Sequence, residues 1–209
     1  MKRKGILLAC ILATCSLVPL SAQLTVGGFI DLNIAGLNVA SQNTGEEYSS
    51  FLGFGLGGVV TYPLTGGLAV QGEPMFLQKG GKVTEDGETL ALKILYFEIP
   101  VFLRYNITLS SGTVLPYLIV GPNLGFRAAS KVVFPDGSSS DNKSEINGID
   151  LGLGGGAGVE VPFNNLIFFG EARYAFGLTN INAETVQGDE STVKNKGLQI
   201  LLGAKVPLD

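Results

Sequence analysis

From residue 25 onward the chain alternates apolar and polar side chains with a period of two, and the charges keep almost entirely to one side of that alternation. Successive residues of a strand point to opposite faces, so this pattern predicts strands with one face free of charge. Over 92–106, Leu95, Phe97, Ile99, Val101, Leu103 and Tyr105 share one face, while Tyr96, Glu98, Pro100, Phe102 and Arg104 share the other. The same sorting sets Ile30, Leu32 and Ile34 against Asp31 and Asn33, and Leu68, Val70 and Phe76 against Gln71, Glu73 and Met75. It repeats in 115–127, where Arg127 falls on the polar side, in 148–161 with Asp150 and Glu160, in 166–178 with Glu171 and Arg173, and in 197–208 with Lys205. The run 51–62 carries Gly53, Gly55 and Gly57 on one face and Leu52, Phe54, Leu56 and Val60 on the other. Lys93 breaks the rule, at a strand end where its ammonium can reach water.

These eight runs are joined by segments that alternate in length. Turn-rich stretches at 41–50, 78–91, 128–147 and 180–195 are long, and those at 63–67, 107–113 and 162–165 are short. A secreted β-sandwich with one polar face would produce the same parity. Long loops collected at one end, an even strand count and runs of ten or more residues instead match a membrane barrel, with short turns on the periplasmic side and longer loops outside. The expected fold is all-β: an eight-stranded antiparallel up-and-down transmembrane β-barrel, with both termini periplasmic. A closed barrel also leaves no backbone edge unpaired in lipid.

The N-terminus reads as a separate segment. Lys2, Arg3 and Lys4 precede an apolar run from Gly5 to Leu20 and then Ser21-Ala22-Gln23. That is the layout of a secretory signal peptide, expected over 1–22, with the barrel domain over 23–209. Cys10 and Cys15 both lie in this leader, so the remaining chain has no thiol for a disulfide, a nucleophile or a metal. Without the three leading cations, eleven Lys and Arg face 18 Asp and Glu. This acidic balance argues against nucleic acid as a partner.

The motifs Leu68-Ala69-Val70-Gln71-Gly72-Glu73-Pro74, Tyr96-Phe97-Glu98-Ile99-Pro100, Pro116-Tyr117-Leu118, Gly154 to Val159 and Arg173-Tyr174-Ala175-Phe176-Gly177-Leu178-Thr179-Asn180-Ile181 are spread over most of residues 24–208. Together they resemble the eight-stranded outer membrane protein β-barrel domain, the PorT-like or "porin family" small barrels common in Bacteroidota. The resemblance implies an outer-membrane location and a shared fold, without a defined activity. The chain departs from many such barrels in ending Val206-Pro207-Leu208-Asp209 rather than in an aromatic residue. Pro74 has no N–H to give a ladder, so strand three must be interrupted or bulged there.

The candidate site is the inward set Asp31, Glu73, Glu98, Arg104, Arg127, Asp150, Glu160, Glu171, Arg173 and Lys205. The interior of an eight-stranded barrel is just filled by side chains, and buried charges must pair, so a structural polar network is expected there. No catalytic residue, cofactor or metal is expected, and no enzyme activity. Gly53-Phe54-Gly55-Leu56-Gly57-Gly58 fits G-x-G-x-x-G but lacks the following helix that dinucleotide binding requires. Asp136 to Asn142 lacks the acidic spacing of a calcium loop. There is no histidine for a Ser/His/Asp triad. The expected role is structural or surface-interacting. Outer-membrane lipid (lipopolysaccharide and phospholipid) would surround the barrel, and an envelope or extracellular protein would meet its loops. A narrow channel, a secretion-associated barrel and a soluble β-sandwich binding module stand as alternatives.

Overall fold

The computed structural model describes residues 23–40, 47–85, 87–109, 113–183 and 192–208. The strands are β1 (Thr25–Ala40), β2 (Glu47–Ser49), β3 (Phe51–Pro63), β4 (Leu68–Gly72), β5 (Met75–Glu85), β6 (Glu88–Asn106), β7 (Leu115–Val133), β8 (Ser139–Asp141), β9 (Ile149–Phe163), β10 (Leu166–Gly177) and β11 (Thr192–Pro207). One 3-10 turn spans Lys143–Glu145. All pairings are antiparallel; the wall strands follow one another round the ring in sequence order, and the short β2 and β8 pair with β5 and β7. β4 and β5 together occupy one wall position between β3 and β6. The ring closes where β1 pairs with β11 from Thr25↔Pro207 to Ala40↔Thr192. Eight wall positions in a closed ring exclude the β-sandwich.

The period-two reading holds on both faces. Leu32, Leu56, Val120, Ile200 and Leu202 are exposed outward, Leu56 by 65% and Leu202 by 60%. An apolar surface running right round a barrel far exceeds what a soluble monomer leaves uncovered. The turns at one end are tight. Gly66 and Gly67 take φ of 65° and 83° while the Leu64 N–H donates to the Leu68 carbonyl at 2.8 Å. Asn164 takes φ of 54°, a left-handed conformation that Asn tolerates, in the turn closed by Phe163↔Leu166. The Leu208 N–H donates to the Leu24 carbonyl at this same end.

The opposite end differs from the expected loops. Residues 78–91 are mostly strand: β5 and β6 stay paired to Glu85↔Glu88, and Gly87 takes φ of 84° at the tip. Likewise β7 runs on to Val133 and turns back into β8 through Phe134–Ser138. Polar, glycine-containing segments beyond the bilayer can still exchange ladder hydrogen bonds, so the sheet continues past the membrane. Of 41–50, residues 47–49 form β2 against Lys82–Thr84, and of 180–195, residues 192–195 belong to β11. Residues 41–46, 184–191 and the expected leader over 1–22 lie outside the described residues.

Pro74 falls in the gap between β4 and β5. The Glu73 N–H there donates to the Pro100 carbonyl at 3.0 Å, and the Pro74 carbonyl accepts the Gly58 N–H at 2.9 Å. Above it β5 pairs with β3 at only three positions, Gly55↔Leu77 to Gly57↔Met75, and then bends over the lumen. The Asn33 side chain of β1 donates to the Gln78 carbonyl at 2.8 Å, and Gly81 packs against Leu37. Leu37, Ile94, Tyr96, Ile146 and Ile181 form an apolar cluster across this mouth.

The glycines of β3 make room inside the ring. A Cβ on Gly57 would lie 2.7 Å from Phe29 Cζ and 2.8 Å from the Pro74 carbonyl. Gly57→Val is therefore expected to cost about 1–3 kcal/mol through overpacking. The check is the temperature at which the compact, fast-migrating band of the unboiled protein disappears on a gel. No loss of thermal resistance would mean that the glycines serve some other purpose.

Candidate functional site

The interior charges fall into three groups along the barrel axis, tied by uncharged polar side chains. Near the long-strand end, Lys79 pairs with Glu98 and with Asp150, the latter at 3.2 Å. Asn195 donates to Asp150 at 2.9 Å, Thr179 at 3.1 Å, and the Lys79 ammonium stands 5.3 Å from the Tyr96 ring centroid. In the middle, Arg173 pairs with Glu73 and with Glu171 at 3.2 Å, and its Nε donates to Gln199. Toward the short turns, Arg104 and Lys205 share Glu160. The Arg104 guanidinium lies 3.5 Å from the centroid of the Tyr117 ring.

Gln71 joins the last two groups. Its amide nitrogen donates to Glu73 at 2.6 Å and to Glu171 at 3.3 Å, and its oxygen accepts from Arg104 at 2.9 Å. The Tyr117 hydroxyl donates to Glu171 at 3.0 Å. A continuous chain of partners thus crosses the lumen from Lys205 to Arg173. Such satisfaction is what makes charge tolerable away from water, since an orphaned buried ion costs several kcal/mol, on the order of its desolvation.

Nine of the ten residues singled out from sequence are buried inside the ring: Asp31, Glu73, Glu98, Arg104, Asp150, Glu160, Glu171, Arg173 and Lys205. Eight of them join these ion pairs, whereas Asp31 is buried nearby without an ion pair among the described residues. Arg127 stands apart. It is only half-buried and donates to the Lys143 and Ile146 carbonyls, fastening the segment that carries Ile146 into the mouth. The β6–β7 register shifts beside it, at Leu95/Tyr96, which places Arg127 at the top of the regular ladder.

Lys79 is the cation that sequence reasoning missed, because Gln78-Lys79-Gly80-Gly81 reads as the start of a loop. Two signals mark it: it continues the odd-numbered inward parity of Glu73, Met75 and Leu77, and Asp86-Gly87 is the stronger hairpin signal. Gly80 with φ of 123° lets β5 bend there without ending.

At the short-turn end the lumen opens into a cavity of about 330 Å³ whose lining includes Thr25, Thr61, Arg104, Asn106, Glu160 and Lys205. In the Phe134–Ser138 turn, the Ser138 hydroxyl and N–H donate to Asp136 at 2.6 and 2.8 Å and hold its carboxyl below the ordinary range. Gly53–Gly58 lie in mid-strand, within β3. Among the described residues, no cluster of His, Cys, Asp and Glu is placed to hold a metal ion.

The model of a family described as "Outer membrane protein beta-barrel domain" matches residues 20–183. Among solved structures, a major outer membrane protein from Thermus thermophilus aligns with a TM-score of 0.55 at 13% identity, covering 90% of this chain and 100% of that one. Neisserial surface protein A aligns with a TM-score of 0.48 at 17% identity, covering 87% and 97%. Ail, the attachment invasion locus protein of Yersinia pestis, aligns with a TM-score of 0.39 at 16% identity, covering 88% and 97%. At 13% identity the likeness to the Thermus protein concerns the fold alone. No curated protein matches the chain.

Proposed function

Because this chain belongs to the outer membrane protein beta-barrel domain family, we propose that it is a small outer-membrane barrel with a structural and surface-interaction role rather than a conduit or an enzyme. The observation that carries this reading is the filled lumen. The Arg173–Glu73 ion pair and the Gln71–Glu171 hydrogen bond link opposite sides of the ring, and the apolar cluster around Ile146 and Ile181 lies over one mouth. Eight strands leave room for little else. The short-turn end, where Leu24 and Leu208 meet, is assigned to the periplasm in keeping with the usual arrangement of such barrels. The long-strand end then stands outside the cell, and the β5–β6 and β7–β8 hairpins present its surface. A protein of the envelope or of the extracellular medium is the partner that this surface suits. A PorT-like, secretion-associated role has no comparable observation in its favour.

Single-channel recording in planar bilayers tests the proposal directly. The expected trace is flat in potassium chloride and in larger salts. Discrete conductance steps would overturn the plugged reading and favour the narrow channel.

A further inference from the structure

Beyond the apolar belt, the outer side of the wall carries lysines. Lys82 on β5, Lys93 on β6, Lys131 on β7 and Lys194 and Lys196 on β11 all lie in the long-strand half of the barrel. Lys93 shares the outward parity of Leu95 and Ile99, and Lys196 that of Leu198 and Ile200. These are five of the eleven cations after residue 22. None forms an ion pair among the described residues.

Two of them are placed in opposition. Lys93 and Lys131 are directly cross-strand in the β6–β7 ladder, an arrangement that repels unless an anion lies between. Lys82, opposite Ala91, sits diagonally from Lys93 on the other side. The Lys93 ammonium lies 5.9 Å from the Phe51 ring centroid. The acid within reach of Lys131 by register is Asp141 of β8, and its carboxylate accepts the Lys143 N–H at 2.9 Å instead. A groove of about 530 Å³, lined among others by Gln78, Lys93, Leu95, Ala129, Lys131 and Asp141, runs over this spot.

We propose that Lys93 and Lys131, flanked by Lys82, bind a phosphate group of an anionic glycolipid in the outer leaflet. This rests on the outward orientation of the long-strand end given above. The lysines stand immediately beyond Leu95, Phe97 and Ile99 on the same face, so a bound headgroup would leave its acyl chains lying along that apolar strip. A free phosphate has no use for the strip, and a phosphate monoester held by two ammonium groups neutralises the cross-strand repulsion.

The test uses the folded barrel in detergent micelles, with bound lipid counted by native mass spectrometry. Four probes are compared: diphosphorylated lipid A, enzymatically dephosphorylated lipid A, phosphatidylglycerol and inorganic phosphate. Diphosphorylated lipid A is expected to bind at least tenfold more tightly than its dephosphorylated form. Lys93→Gln/Lys131→Gln should abolish that preference, and Lys194→Gln/Lys196→Gln, on the far side of the ring, should keep it. Equal binding of the two lipid A forms would overturn the site. So would equal loss in both double variants, or competition by millimolar inorganic phosphate. Binding of phosphatidylglycerol as strong as that of lipid A would show that the lysines do not select the glycolipid and would overturn the assignment. Each variant is first shown to keep the boiled/unboiled mobility shift. A wild-type protein without that shift would refute the membrane barrel itself, a separate result.

Discussion

Arg173→Met is expected to destabilise the barrel by about 3–5 kcal/mol, the cost of stranding buried charges whose partner has been removed. The guanidinium is buried and holds Glu73, Glu171 and Gln199, while its Nη2 reaches the Met75 sulfur at 3.5 Å and its Cζ lies 5.0 Å from the Phe102 ring centroid. Methionine fills much of the stem's volume against Met75 and Phe102, so what is lost is chiefly the charge. Urea titration of the folded protein in micelles, read by the fraction keeping the fast-migrating band, measures the loss. The triple variant Arg173→Met/Glu73→Gln/Glu171→Gln should recover most of it, because the two carboxylates that Arg173 balanced are then uncharged. A single variant within about 1 kcal/mol of wild type would mean that water reaches the centre of the lumen and screens the carboxylates.

Leu32→Arg is expected to cost about 2–4 kcal/mol, the range for a cation on the lipid face near the bilayer midplane. Leu32 pairs with Phe54 on one side and Ile200 on the other, in the middle of the apolar belt, and is exposed to what surrounds the barrel. The neighbouring Asn33 faces the lumen and donates to Gln78. Adjacent positions thus separate the two environments within one residue. The same urea titration reports the effect, with Thr65→Arg in the exposed turn between β3 and β4 as the neutral comparison. If Leu32→Arg and Thr65→Arg behaved alike, the belt would not lie in lipid.

The architecture is legible because lipid penalises charge on one face and a narrow lumen demands polar pairing on the other. Both constraints write themselves at period two. Glu98 and Arg104, or Glu171 and Arg173, can therefore be placed from parity alone. The pairing is not legible: Gln71 meets Arg104, 33 positions on, and Glu171 across the ring, and nothing local encodes those contacts. The strand ends escape the parity rule for a related reason. Beyond the membrane neither face meets lipid, so 78–85 and 128–133 lose their alternation while keeping their ladder. Lys79 keeps the inward parity, but the Gly80-Gly81 that follows it reads as a loop. Arg127 has the inward parity but sits beside a register shift, where the rule that assigns it ceases to hold.

The mouth cluster couples two connections that are far apart in sequence. Ile146 comes from the segment between β8 and β9, and Ile181 from the one between β10 and β11. Backbone bonds stitch them together: the Asn147 N–H donates to the Ile181 carbonyl at 2.7 Å, and the Ala183 N–H to the Glu145 carbonyl at 2.9 Å. Neither connection can change length near these residues without unseating the other, so they can diversify only as a pair. The Phe134–Ser138 turn carries no such tie to another connection; its residues are exposed, and only Gly137 among them, with φ of 83°, favours glycine. Variation in sequence, or an inserted epitope, has a free site at that tip and a shared constraint at the lid.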